Sequence, residues 1–142
     1  QLFWPIFTTL VVGGVLATGL CVALGWWFGA EHRVLMTMAP KSVTSPIAML
    51  VAEQIGGVAA LAAVFVLITG VVGAMIGPAL LSRLGVRSPE ARGMALGMTA
   101  HAVGTSVALQ ESEECGAFAA LAMSLMGVAT AVFLPLAVSV IV

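Results

Sequence analysis

The 142 residues are 61% hydrophobic and 8% charged, with a mean hydropathy of +1.19 and a formal net charge of −1. Soluble domains carry roughly 25% charged residues, so the chain reads as an integral membrane protein. Its near-neutral charge excludes a polybasic surface for nucleic acid, and Cys21 and Cys115 have neither CxxC nor metal-ligand spacing, so no disulfide, metal or cofactor is expected.

Three runs contain no charged residue: Leu2–Ala30, Gln54–Ser82 and Cys115–Val142. Each exceeds the ~20 residues that cross the hydrocarbon of a bilayer as a helix. The first span is predicted at about Phe3–Phe28, with Trp4 near one end and Trp26 and Trp27 near the other as interfacial anchors. It is too long for a signal peptide and lacks a basic leading region. Because the chain opens on Gln1 rather than Met, it is expected to be a fragment of a longer protein. The second and third spans are predicted at about Gly57–Leu81 and Gly116–Val140. Between the spans lie two interrupted segments, Val34–Ile55 and about Pro89–Glu111. Each divides into two apolar pieces of half a membrane's length.

The interruptions repeat at a spacing of 60 residues, Lys41 falling over His101. Under the same shift Val43 meets Val103, Ala48 meets Ala108, Glu53 meets Glu113 and Gly56 meets Gly116. The run Ala59–Ala62 likewise meets Ala119–Ala122. We read a single membrane domain over 1–142 built from two repeat units, about 31–82 and 89–142. The expected fold is all-α, with three full transmembrane helices and two re-entrant or broken segments. Arg83, Arg87 and Arg92 place the loop they share in the cytoplasm.

Broken helices cost several kcal/mol in lipid unless protein or a watery cavity satisfies the freed backbone, and paired breaks are how transporters build midplane sites. In the first break Pro40 and Pro46 bracket the turn, and Thr44 or Ser45 is placed to cap a helix opening at Pro46. Its N-terminus attracts anions, and Lys41 adds a full positive charge beside the hydroxyls of Ser42, Thr44 and Ser45. In the second break Gly104 is expected to turn the backbone, with Thr105 and Ser106 as caps and His101 in the place of Lys41. Together Lys41, Ser42, Thr44, Ser45, His101, Gly104, Thr105 and Ser106 form the expected carboxylate site. Glu53 and Glu113 read as interfacial. Gly73/Gly77 and Gly93/Gly97 have the spacing of close helix packing. With no Asp, no Tyr and no Gly-x-Ser-x-Gly, HExxH or phosphate-loop motif, enzymatic chemistry is not expected.

The block Ala39-Pro40-Lys41-Ser42-Val43-Thr44-Ser45-Pro46-Ile47-Ala48 has three companions: Gln54-Ile55-Gly56-Gly57, Ala91-Arg92-Gly93-Met94-Ala95-Leu96-Gly97, and Gly116-Ala117-Phe118. With His101 and Gly104-Thr105 these resemble the LrgB family. That family takes in CidB-like proteins and the plastid glycolate/glycerate translocator. The resemblance is strong over 31–142 and vague over 1–30. It implies a multi-pass protein of the inner (plasma) membrane, antiholin-like control of murein hydrolase activity and autolysis, and a small LrgA-like partner. It also implies transport of a small monocarboxylate such as pyruvate, glycolate or glycerate. Relatives often carry a basic residue where this chain has Val107. Two functions are therefore expected. One is a monocarboxylate carrier working through the paired breaks. The other is a regulator that oligomerises, with itself or its partner, through lipid-facing GxxxG surfaces.

Overall fold

A computed structural model describes residues 3–141 as six α-helices, with no strand among them. They are α1 (Phe3–Trp27), α2 (His32–Met38), α3 (Ser45–Gln54), α4 (Ala59–Arg83), α5 (Pro89–Glu111) and α6 (Glu113–Ile141). Of these, α1, α4 and α6 are long and apolar enough to cross a membrane. Their outward faces are dense with exposed Val, Leu, Ile and Phe, as lipid rather than water requires. The third span starts three residues before its predicted position. Ser112 Oγ accepts from Cys115 N at 3.0 Å, and the Glu113 and Glu114 carboxylates sit in the first turn, where the helix dipole favours them.

The short helices α2 and α3 form one hairpin. Met38 ends the first leg and Thr44 opens the second, with Pro40 fully buried in the turn between them. Leu35, Met36 and Ala39 of the first leg and turn pack on Val51 and Ile55 of the second. Thr37 Oγ1 accepts from Val58 N at 2.9 Å and donates to Arg33 O at 2.7 Å, fastening the end of the second leg to the first. Gly56, at φ 86°, makes the left-handed step that ends α3.

Helix α5 also folds back on itself. His101, at φ 43° and ψ −127°, leaves the helical region and reverses the chain. The proof is at the other end. Arg92 and Glu111 are 19 residues apart, about 28 Å along a straight helix, yet Arg92 Nε donates to Glu111 Oε2 at 2.6 Å and Nη2 to Oε1 at 2.7 Å. Arg92 also donates to Ser82 Oγ, Val86 O and Pro78 O, tying the hairpin base to the end of α4. The hydrogen bonds from Arg92 hold the Glu111 carboxyl below its ordinary range, with burial opposing them. Between the legs Gly104 lies against the Leu96 carbonyl, where any β-carbon would collide.

Two readings change here. Gly104 is not the turn. It is helical and glycine for closeness, and the reversal falls three residues earlier at His101. The glycine pairs do not face lipid either. Gly73 meets Ala100, Gly77 meets Leu96, and Gly93 and Gly97 meet the backbone of α6 around Cys115 and Ala119. These surfaces are spent inside the molecule, so the expected lipid-facing GxxxG interfaces are absent at these positions.

Candidate functional site

One leg of each hairpin, α3 in the first and the stretch before His101 in the second, runs antiparallel to α4, the two hairpins entering from opposite ends. On the first, Ala52 and Ala48 pack with Ala62 and Val66, and Val43 completes that cluster at the tip. On the second, the contacts climb from Arg92 at Pro78 and Ser82, through Leu96 at Gly77 and Ala100 at Gly73, to His101 at Gly70 and Val66. The two tips therefore reach the same stretch of α4, residues 66–73, in its middle third.

A groove of about 360 Å³ opens there, lined by Ala17, Lys41, Ser42, Ile68, Thr69, Val72, Gly73 and Thr99. That volume lies in the ~300–1,000 Å³ range of small-molecule sites. Lys41 Nζ donates to the buried Ser42 Oγ at 3.1 Å and lines this groove. A second hollow of about 410 Å³, lined by Thr8, Thr9, Val12, Gly13 and Met98, holds no titratable side chain. Of these two, the Lys41 groove is the one that offers a cation to an anion.

His101 is buried, its Nε2 3.0 Å from Val66 O on the face of α4 where Gly70 leaves room for the ring. It shares α4 with Lys41 but does not line the groove with it; Thr99, two residues earlier, does. Thr44 occupies the N-cap position of α3 with extended dihedrals, but its side chain makes no capping bond. Ser45 is the first helical residue and half-buried.

The caps expected at the second break are not caps. Thr105 Oγ1 donates to His101 O at 2.8 Å and Ser106 Oγ to Ala102 O at 3.0 Å, each bonding the carbonyl one turn back. Hydroxyls inside a helix commonly take that option. Thr105 is buried toward Met123, and Ser106 is exposed. Of the eight expected site residues, the groove brings together Lys41 and Ser42. Thr69 and Thr99 were missed. Thr69 is a polar residue in the charge-free second span, and that isolation was the available signal.

A model of the LrgB-like family matches residues 1–140. The chain is 39% identical over 134 residues to the uncharacterized protein YxaC of Bacillus subtilis, covering 90% of this chain and 58% of that protein. It is 34% identical over 130 residues to the holin-like protein CidB of Staphylococcus epidermidis, covering 92% and 57%. To the antiholin-like protein LrgB of Bacillus mycoides it is 31% identical over 134 residues, covering 94% and 58%. The chain thus spans a little over half the length of the curated relatives it matches. No solved structure matches it. A match over nearly every residue, on a helical framework with three membrane-length spans, makes this chain a member of the LrgB-like family.

Proposed function

We propose that the protein carries a small monocarboxylate, of the pyruvate, glycolate or glycerate type, across the membrane through the groove at the two hairpin tips. The observation that supports this is the Lys41 ammonium, held by Ser42 in a groove midway along a membrane-length helix. A cation at that depth is costly and is kept where it pairs with something or lines a pathway. No Asp or Glu occurs in α4 to pair with it. A substrate carboxylate answers that need, and Thr69 and Thr99 add polar residues to the lining of the same groove. In proteoliposomes, labelled pyruvate uptake by Lys41→Ala is expected to fall about tenfold or more below wild type, the loss of a charge-assisted contact. Equal uptake by both proteins removes Lys41 from the mechanism.

In this reading hairpin one with α4, and hairpin two with α6, are inverted repeats that dip into the bilayer from opposite sides. Their bases then label from opposite faces. With Cys21 and Cys115 replaced by Ser, single cysteines at Glu31 and Glu53, the exposed flanks of the first hairpin, are expected to react with an impermeant maleimide from one face. A cysteine at Glu113 reacts from the other. Labelling of 31 and 53 from opposite faces sinks the re-entrant arrangement.

A regulatory role in murein hydrolase control and autolysis fits the names holin-like and antiholin-like carried by the relatives. The exposed apolar length of α1 favours this second reading, since no residue of that helix is buried. Partner binding, to a small LrgA-like protein or to another copy, would then use α1 and not the glycine pairs.

A further inference from the structure

Among the described residues His101 is the one non-glycine residue with positive φ. At φ 43° and ψ −127° a glycine turns the chain without strain and a side chain does not. The imidazole on this strained backbone is also buried, 4% exposed, and seated by two features of α4: the Gly70 gap and the Val66 carbonyl. A carbonyl oxygen only accepts, so Nε2 carries a proton whether the ring is neutral or charged. Nδ1 is then the atom that gains and loses one.

We propose that His101 is the proton-coupling residue of the carrier, an inference that rests on the transport reading above. One proton binds at Nδ1 as one carboxylate binds beside Lys41, and both leave on the far side. The displaced charge then sums to zero, so an inside-negative potential does not oppose entry of the anion. Carboxylate in the groove favours the imidazolium, and by reciprocity the imidazolium tightens carboxylate binding.

Among the described residues, the helices packed against His101 bring no second imidazole and no carboxylate to the middle of the fold. The charge on α4 is Arg83 at its far end. On α6 the charges are Glu113 and Glu114, with the Cys115 thiol, all at its start. The titratable group of α1 is Cys21, near Met38 O and Lys41. On α5 itself Glu90, Arg92 and Glu111 lie at the hairpin base. Among the described residues, Lys41 is the cation that lines the groove against Ile68, Thr69, Val72 and Gly73 of α4. Of the central groups, imidazole is the type that changes charge near neutral pH.

The test uses pyruvate in proteoliposomes with and without an imposed inward proton gradient. In wild type the gradient drives accumulation. In His101→Gln, whose amide can still donate to Val66 O but takes no proton, the ratio of gradient-driven to gradient-free uptake is expected to fall about tenfold. An unchanged ratio overturns the proposal.

A second measurement does not depend on transport by the variant. The chain has two histidines, so 15N-histidine NMR of His32→Asn reads His101 alone. Titration of Nδ1 with Nε2 protonated throughout supports the assignment. An Nδ1–H neutral tautomer, or no titration between about pH 5 and 9, overturns it. Wild type that moves no pyruvate under any gradient defeats the transport reading instead, and the two failures are separable.

Discussion

Gly97→Ala is expected to destabilise the protein by about 3 kcal/mol, among the largest losses available to a single methyl group. The first leg of α5 lies so close to α6 that a β-carbon on Gly97 would occupy the space of the Ala119 backbone. Overpacking against a flexible side chain can be relieved by a rotamer change. Here the obstacle is the carbonyl and Cα of a buried helical residue, so a whole helix must move. Membrane helices lack a hydrophobic drive toward one another and rely on such close backbone approach. The gain in helix propensity from Gly to Ala, about 1 kcal/mol, does not offset the loss. Gly19→Ala is the control. In α1 the same β-carbon meets nothing within 4 Å, so that substitution is expected to be neutral or slightly stabilising. Thermal melting in detergent decides, and equal midpoints for the two variants would contradict the packing described.

The sequence made the three spans legible because charge-free length is a local property. Their ends lie within about three residues of the expected positions, the largest shift coming from the Ser112 cap on α6. The first turn was also legible, since Pro40 and Pro46 announce by covalent structure where helix cannot continue. The second turn has no proline, and its residue type pointed to the wrong place. Gly104 looked like a turn because glycine permits one. Its real constraint is the Leu96 carbonyl eight residues back, visible only when the hairpin is closed. Thr105 and Ser106 fit a capping pattern equally well in either frame, and tertiary closure chose their own-helix carbonyls. The clamp of Arg92 on Glu111 joins residues far apart in sequence, so no local pattern announces it. The glycine pairs advertised close packing, and the sequence did not say against what. Lys41 stood out because a charge deep in an apolar run is costly, and it lines the groove.

Gly70→Ala is expected to separate site from fold. A β-carbon there would lie 2.5 Å from His101 Cε1 and 2.7 Å from Nε2. The ring cannot stay 3.0 Å from Val66 O with that methyl in place. Unlike the Ala119 backbone, the imidazole sits at the tip of a hairpin and can be displaced, while the Arg92–Glu111 clamp at the base stays intact. Stability should therefore fall by only about 1–2 kcal/mol, the ordinary range for overpacking a site that can adjust. Transport should suffer more than stability. Moving the tip shifts Thr99, which lines the groove with Lys41, and misplacement by about 1 Å can cost on the order of 100-fold in a rate. Melting and pyruvate uptake measured on the same preparation give the comparison. Uptake at the wild-type level would mean that the seat of His101 on α4 is structural packing, and that the groove works without it.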